Sequence, residues 1–477
     1  MSNCALWLDM GLGKTLITIA YALLTYQTQR KCAYLVICPP TIFTTWIDEI
    51  NKWIDESIIN VNICILHGSN KTKILTKLRT EQITKPTFIL TSYETLENIR
   101  ESIKTLPISL VALDECSKVK HIDSNRSRST HALRRDFNDA RFVLLSGTPS
   151  TTNPLGFYSL YELLGPMQSG FPSWQSFHHH FAVSKKFATL RLPNGKIKST
   201  AYDNIENYPG AKIMNIHNRD VAFKNLEDIH RITQINAYTL KKSDVLTELP
   251  PKIYQKRTLE MTAEQRRIYN EVAEHSRTII AGKPFSFSSN SPFCKLHQIA
   301  NGYVLNTDKE ATFFTSQPKL HELRQIMEEL SDKKLVIWSP FLDQINQVAE
   351  FLASESIKCV TLTGDVPMPT RRELIHDFQH PDGAQALVAN PSVGGLGLNL
   401  TCADVQVFMT NWFQPDVRNQ AEDREHRIGQ TNPVTIIDLV TAGTIEPGIL
   451  RNTRAQINLE NRIISMSLIF GGGETDE

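Results

Sequence analysis

A glycine-rich segment near the start of the chain has the residue types of a phosphate-binding loop. Met10–Thr15 reads Met-Gly-Leu-Gly-Lys-Thr, with a short apolar run before it and a longer apolar stretch after it. In such a loop, Gly11 and Gly13 let backbone N–H groups approach phosphate oxygens, Lys14 bridges the β- and γ-phosphates, and the Thr15 hydroxyl holds Mg²⁺. The full pattern has a further glycine where this sequence has leucine, so a turn that only caps a helix is the alternative.

Two adjacent carboxylates follow another apolar run about 100 residues after the loop. Asp114 and Glu115 come directly after Leu110–Leu113. A carboxylate at the carboxyl end of a strand beside a phosphate loop can bind Mg²⁺, and the next one can orient or deprotonate an attacking water. We therefore assign Asp114 to the metal and Glu115 to the water. Without the phosphate loop, the same pair would be typical of a solvated turn.

A third candidate group lies in a highly charged segment of the second half. Gln420–Gln430 places Arg424 and Arg427 three residues apart, which predicts that both lie on one face of a helix. Guanidinium groups bind phosphate oxygens bidentately, and an arginine from a second lobe can stabilise the charge that develops during phosphoryl transfer. The alternative is an ordinary salt-bridged helix face, because acidic residues lie beside the arginines: Glu422, Asp423 and Glu425.

Two series of short apolar runs predict the strands that would position these residues. The first series is Tyr34–Cys38, Phe88–Thr91, Leu110–Leu113 and Phe142–Leu145, and the second is Lys334–Trp338, Cys359–Leu362, Ala386–Ala389, Val405–Met409 and Val434–Leu439. Continuous rather than alternating apolar runs suit parallel sheets that are covered on both faces, and helical stretches separate the runs. The pattern predicts an α/β fold with two lobes in tandem.

The order of these runs predicts four parts of the chain. A first lobe covers 1–165, an insertion or connecting subdomain covers 166–240, a second lobe covers 241–460, and a disordered tail covers 461–477. Within the connecting part, 174–234 is rich in aromatic residues, lysines and turn residues, and it could carry the contact with a protein partner.

Composition excludes several classes of protein. The chain has 477 residues, 41% of them hydrophobic, which is enough for two or three folded domains. A net charge of +1 excludes a protein that coats nucleic acid, so nucleic acid could bind only at local basic clusters such as those over 118–128 and 185–198. The eight cysteines form no Cys-x-x-Cys pair, which argues against a zinc ribbon and fits a reducing compartment. No apolar run approaches the ~20 residues of a membrane span, which predicts an intracellular protein without membrane contact.

Taken in order, these segments resemble the motifs of the Swi/Snf family of superfamily-two helicase-like ATPases. The matching segments are Asp9–Thr15 (motif I), Cys38–Trp46 (Ia), Leu90–Glu94 (Ib), Asp114–Lys120 (a variant DEAH box), Leu145–Pro149 (III), Leu240–Pro251 (entry to the second lobe), Lys334–Phe341 (IV), Gly394–Thr401 (V) and Asn411–Gln430 (VI). The resemblance covers about residues 6–455. Single motifs of this kind are weak signals, but their shared order and spacing are specific.

The resemblance implies two RecA-like lobes with ATP and Mg²⁺ in the cleft between them. It also implies an ATP-driven translocase that tracks along double-stranded DNA, usually without strand separation. The compact build, without accessory reader modules, favours the cytoplasm of a bacterial or virus-infected cell, or the nucleus if the source is eukaryotic. Thr15 and Asp114 would bind the metal, and Lys14, Asp114, Glu115, Arg424 and Arg427 would be catalytic. The nucleotide would be held by Gly11, Gly13, Lys14, Thr15, Asp114, Gln420, Arg424 and Arg427.

Two other interpretations remain open, and departures from the family pattern favour the first of them. The family's upstream segment, with a glutamine that contacts adenine, has no counterpart in this sequence, and Lys241-Lys242 stands where paired arginines are usual. The chain could therefore be a truncated or non-catalytic interaction subunit. It could also be the motor of a restriction or defence complex, or of a complex that displaces RNA polymerase.

Overall fold

Buried strands and helices alternate along the first lobe. The computed structural model describes residues 3–29, 32–55, 57–149, 153–193, 197–275, 277–280, 283–286, 292–306, 310–396 and 398–465. The elements of the first lobe are β1 (Cys4–Leu8), α1 (Lys14–Gln29), β2 (Ala33–Ile37), α2 (Phe43–Trp53), β3 (Asn62–Leu66), α3 (Lys71–Thr80), β4 (Thr87–Thr91), α4 (Tyr93–Ile103), β5 (Ile108–Asp114), α5 (Asn125–Asp136), β6 (Arg141–Ser146) and α6 (Gly156–Leu164). Ser92 and Ser124 cap the N-termini of α4 and α5. The hydroxyl oxygen of each serine accepts a hydrogen bond from a backbone N–H in the first turn of its helix.

The connecting segment forms an antiparallel sheet and then returns to the first lobe. Its elements are α7 (Trp174–Phe181), β7 (Ala182–Arg191), β8 (Ile197–Ala201), β9 (Lys212–Phe223), α8 (Leu226–Asn236) and β10 (Ala237–Leu240). The antiparallel sheet has the strand order β8-β7-β9. Helix α7 buries Phe177 and Phe181 in the core of the first lobe, so the base of this sheet is anchored there.

The sheet of the first lobe is parallel throughout and has the strand order β10-β1-β6-β5-β2-β4-β3. Successive residues of its strands enter different apolar clusters: Leu35 packs into one, and Val36 packs into the other. The sheet is therefore buried on both faces, which is why its strands are continuously apolar. Because all strands point the same way, the segments that follow β1, β5 and β6 meet at one edge.

The second lobe repeats this plan with a second parallel sheet of order β11-β20-β19-β16-β18-β17. Its elements are α9 (Lys242–Val245), β11 (Lys252–Leu259), α10 (Ala263–His275), β12 (Arg277–Ile280), β13 (Lys283–Ser286), α11 (Pro292–Ala300), β14 (Tyr303–Leu305), β15 (Ala311–Phe313), α12 (Pro318–Glu329), β16 (Leu335–Trp338), α13 (Leu342–Ser354), β17 (Cys359–Leu362), α14 (Met368–Gln379), β18 (Ala386–Ala389), β19 (Val405–Phe408), α15 (Pro415–Glu422), β20 (Val434–Thr441) and α16 (Glu446–Ser465). Each apolar run predicted as a strand contributes a strand to one of the two parallel sheets.

The prediction of two tandem α/β lobes with parallel sheets is confirmed. The predicted start of the tail at residue 461 is wrong, because α16 continues to Ser465. Ile457 and Ile464 keep the helical spacing of apolar residues across that position. The rest of the predicted tail, 466–477, lies outside the described residues, as does Gly397 of the glycine cluster resembling motif V. No helix in the described ranges is both long and apolar enough to cross a bilayer.

Candidate nucleotide-binding site

The glycine-rich loop joins β1 to α1 at the carboxyl edge of the first sheet. Gly11 and Gly13 have φ values of +88° and +78°, in the left-handed region that favours glycine. A Cβ atom at either position would meet no atom within 4 Å, so the space above the loop is open. Helix α1 begins at Lys14, and Thr15 lies half-buried in its first turn. The loop thus presents backbone N–H groups and a helix N-terminus to open space, as phosphate binding requires.

The ammonium group of Lys14 lies between the loop and the carboxylates. Its Nζ donates to the carbonyl oxygens of Leu8, at 2.7 Å, and Asp9, at 3.2 Å. Burial lowers the pKa of Lys14, and the nearby carboxylates of Glu115 and Asp114 partly offset this effect. A phosphate that enters the loop would replace the two carbonyl oxygens as the partner of this ammonium.

Asp114, the last residue of β5, is held in a fixed orientation. Its Oδ2 accepts the indole N–H of Trp46 at 2.9 Å, and its Oδ1 accepts the backbone N–H of Glu115 at 2.9 Å. The hydroxyl of Tyr93 donates to its backbone carbonyl at 2.9 Å. Burial raises the pKa of Asp114, while the bond from Trp46 and the charge of Lys14 act in the opposite direction. A nearby cation would therefore favour the ionised form further.

Glu115 turns away from the strand and faces the second lobe. Its φ of +53° is left-handed, which is uncommon for a residue other than glycine. Its Oε2 accepts an N–H bond from the side-chain amide of Gln420, at 3.3 Å, across the cleft between the lobes. Burial and the neighbouring charge of Asp114 raise the pKa of Glu115. Strained backbone at such a position is typical of functional sites.

The residues present fit a magnesium nucleotide. Mg²⁺ usually takes one or two protein ligands and completes its coordination with phosphate oxygens and water. Thr15 and Asp114 could supply those protein ligands. Within the described parts of the chain, no cluster of three or more His, Cys, Asp or Glu side chains could hold a metal by itself.

The prediction that Arg424 and Arg427 share a helix face is wrong. Helix α15 ends at Glu422, and the following residues form turns. A tertiary bond takes the place of the next helical bond: the backbone N–H of Leu400 donates to the Arg424 carbonyl at 3.1 Å. Farther along, Gly429 has a left-handed φ of +102°, which a helix does not contain. The turn directs Arg424 towards the first lobe, which a continuous helix would not require.

Arg424 lies buried beside the carboxylate of Glu115. Burial lowers its pKa to about 10, with a further contribution from Arg427, whereas the Glu115 carboxylate opposes the change. The Nε of Arg424 is buried and has no hydrogen-bond partner among the described residues. Arg427 donates to the carbonyl oxygen of Leu398 within its own lobe, at 2.9 Å. The structure therefore brings Lys14, Asp114, Glu115, Gln420 and Arg424 together, while Arg427 lies farther back.

A second joint between the lobes was not predicted from the sequence. The backbone N–H of Lys242 donates to Asp9 Oδ2 at 2.9 Å, and its Nζ pairs with Asp423 Oδ1 at 3.1 Å. The same Nζ donates to the carbonyl of His426 at 2.6 Å. Lys242 thus ties Asp9, just before the phosphate loop, to the stretch Gln420–Gln430, which we call the arginine segment. In the sequence, Lys242 was distinguished by its position in the stretch that enters the second lobe and by standing where the family usually has an arginine.

Trp46→Phe should lower the affinity for the Mg²⁺ that supports nucleotide chemistry at this site. The change keeps an aromatic ring but removes the N–H donor to Asp114, which raises the pKa of Asp114 and frees its carboxylate to rotate. A hydrogen bond to a charged group contributes about 1.5–3 kcal/mol, so we expect at least a roughly tenfold rise in the half-saturating Mg²⁺ concentration.

The matched control is Trp53→Phe at the exposed end of the same helix, where the indole bonds Glu49 instead. A Mg²⁺ titration of hydrolysis at fixed ATP measures both variants. Equal Mg²⁺ requirements for the Trp46→Phe variant and the unmodified protein would refute the role of this bond.

Comparison with known proteins covers nearly the whole chain. The description "SNF2-related domain" matches residues 1–331, and "Helicase conserved C-terminal domain" matches residues 318–429. TATA-binding protein-associated factor 172 of Homo sapiens is 24% identical over 96% of this chain, which spans 26% of that protein. The ISWI chromatin-remodeling complex ATPase ISW1 of Saccharomyces cerevisiae is 25% identical over 96% of the chain, which spans 38% of it. The solved structure of the Sulfolobus solfataricus SWI2/SNF2 ATPase core in complex with dsDNA is 22% identical and covers 98% of this chain and 89% of its own, with a TM-score of 0.40.

Proposed function

Because this chain belongs to the SNF2-related family, we propose that it is an ATP-hydrolysing motor that moves along duplex DNA and remodels protein–DNA complexes. The observation that carries the proposal is the bond between the lobes from Gln420 to Glu115. It joins the candidate water-activating carboxylate of one lobe to the arginine segment of the other. A site completed by two lobes couples their relative position to the chemistry.

In this proposal, each residue of the cleft has a defined task in phosphoryl transfer. Lys14 and the loop N–H groups bind the β- and γ-phosphates, and Thr15 and Asp114 hold Mg²⁺, which neutralises phosphate charge when bound. Glu115 orients a water molecule and accepts its proton as the water oxygen attacks the γ-phosphorus and the bond to ADP breaks. Arg424 and Arg427 stabilise the charge that develops on the transferred group.

Movement along DNA would follow from closing and opening this cleft. ATP bound to the first lobe attracts the arginines of the second, and hydrolysis with product release removes that attraction. Each cycle then shifts one lobe relative to the other along the duplex. Such a motor acts where duplex DNA is found, in the cytoplasm of a bacterial or virus-infected cell or in a eukaryotic nucleus. The family relationship and the order of the motifs support DNA as the track.

Steady-state hydrolysis of ATP by residues 1–477 tests the proposal. The reactions contain no nucleic acid, single-stranded DNA, duplex DNA or RNA. We expect strong stimulation by duplex DNA and weaker stimulation by the other polymers. Absence of turnover with every polymer would contradict the motor and favour a non-catalytic interaction subunit, whereas stimulation by RNA alone would contradict the track.

A further inference from the structure

The antiparallel sheet β8-β7-β9 has two chemically different faces. Side chains alternate between the faces of a strand, so Ala188 and Leu190 of β7 lie on one face and their odd-numbered neighbours on the other. Ala188 and Leu190 are fully buried. Lys185 and Arg191, on the opposite face, are exposed. One face, called the packed face below, is therefore covered at Ala188 and Leu190, whereas the other points to solvent.

The register with β9 extends the exposed face. Phe187 lies opposite His217, Thr189 opposite Asn215, and Arg191 opposite Lys212. The rings of Phe187 and His217 are stacked, with centroids 6.3 Å apart and an interplanar angle of 28°. We call the following residues the basic face: Lys185, Phe187, Thr189, Arg191, Lys212, Asn215 and His217.

The acidic residues of this sheet lie away from its exposed face. Residues 182–223 contain seven lysines and arginines but three acidic residues, in a chain whose net charge is only +1. Of the acidic residues, Asp220 lies opposite Ser184 on the packed face, where its carboxylate bonds Ser184 and His178. The other two, Asp203 and Glu206, lie in the turn between β8 and β9. The basic face as described has no carboxylate.

The positive charges on the basic face have no partner within the described protein. Lys185, Arg191 and Lys212 are exposed, and none pairs with a described acidic residue. Arg191 and Lys212 lie directly opposite each other, although like charges at opposed positions of a sheet are destabilising. An external anion would remove this repulsion, so the arrangement is complementary to a polyanion.

We propose that the basic face binds the phosphate backbone of duplex DNA, outside the cleft between the lobes. The inference rests on the proposed function, because it gives the motor a second surface that contacts the DNA. Lys185 and Arg191 are six residues apart on one strand, a span of about 20 Å, which matches roughly six base pairs of duplex. Thr189 and Asn215 add neutral donors between the basic ends, a mixture typical of contacts with phosphate oxygens.

The test is the salt dependence of DNA affinity in a variant with Lys185→Ser, Arg191→Ser and Lys212→Ser combined. Each lost phosphate contact reduces the slope of log K against log salt by about 0.9, so we expect a slope less steep by up to about 2.7 and a Kd for a duplex of ~30 base pairs at least about tenfold higher at ~0.1 M salt. Hydrolysis at saturating DNA should be unchanged, because the face lies outside the nucleotide site.

Adjacent lysines give a matched control. Lys185→Ser removes a charge from the basic face, whereas Lys186→Ser removes the same charge from the other face of the same strand. We expect the first to reduce the slope by about 0.9 and the second to change it by much less. Single substitutions at exposed positions also guard against a triple variant that folds poorly.

Three results would overturn the inference. The first is an unchanged slope of log K against log salt in the triple variant, and the second is an equal effect of Lys185→Ser and Lys186→Ser on that slope. The third is a triple variant that loses affinity for duplex RNA but keeps its affinity for duplex DNA. The motor proposal is tested separately, by whether the unmodified protein binds duplex DNA and is stimulated by it. If that protein binds and responds to duplex DNA while the variants behave identically to it, only the basic face is excluded. If it does not bind duplex DNA, both proposals fall.

Discussion

Glu115→Gln is expected to bind ATP with nearly unchanged affinity and to lose about 10²–10⁴-fold in kcat. Glutamine keeps the size of the side chain and its contact with Gln420, but it cannot accept a proton from water. Nucleotide affinity is set by the loop and by Lys14, which the substitution leaves in place. Equilibrium binding of a fluorescent ATP analogue and steady-state hydrolysis measure the two quantities.

The pH profile gives an independent readout of the same residue. Burial and Asp114 raise the pKa of Glu115, and a general base acts only when deprotonated. As the pH is lowered, the unmodified protein should therefore lose activity with a midpoint above the usual pKa of a glutamate. This loss of activity at low pH should be absent from the residual activity of the Glu115→Gln variant. The control is Glu101→Gln on the exposed surface of α4, and normal turnover in Glu115→Gln would exclude the proposed role.

Arg427→Ala is expected to retain nucleotide binding and to lose DNA-stimulated turnover, by up to about 10³–10⁵-fold if the residue acts as an arginine finger. Arg424→Ala should have a loss of the same order, since its buried guanidinium lies beside Glu115. The alternative, in which the two arginines belong to an ordinary salt-bridged helix face, has little support in the structure. Neither arginine pairs with an acidic residue in the described chain, and the neighbouring Asp423 pairs with Lys242 and Lys252 instead.

The same nucleotide-binding and hydrolysis assays, with saturating duplex DNA, measure the arginine variants. Arg451→Ala is the matched control, because Arg451 is exposed on α16 and lies outside the cleft. Intact turnover in Arg427→Ala would show that this side chain only supports the local fold through Leu398. Equal losses of binding and turnover would mean that it contributes to ground-state affinity rather than to the transition state.

Sequence patterns predicted the parallel sheets because strands buried on both faces must be apolar without interruption. The phosphate loop and carboxylate pair were predictable for a similar reason: glycine at positive φ and carboxylates at strand ends are local requirements. The end of α15 was not predictable, because bonds to distant residues determine it, as Leu400 does for Arg424. Trp46 packs in the core, as a large aromatic residue usually does, but its indole N–H also orients Asp114, and no sequence pattern indicates that bond.

The connecting segment was the least predictable part. Its strands belong to a sheet with one solvated face, so they carry lysines, asparagines and threonines that also suit loops. Lys242 illustrates a related difficulty. A buried lysine has no signal of its own in sequence, and its role depends on two acidic residues, Asp9 and Asp423, that are far apart along the chain.

Strand β10 determines how mechanical load reaches the phosphate loop. Tension between the lobes passes along the chain from β11 through residues 241–251 into β10, which pairs in parallel with β1 from Ala5 to Leu8. Strands pulled along their length are loaded in shear, so their backbone hydrogen bonds resist together rather than one after another. The strand that carries this load is the one that ends at the loop of Lys14. In the proposed motor, a force that opposes movement along DNA would therefore strain the nucleotide-binding site directly. That site would then respond to mechanical load as well as to ATP.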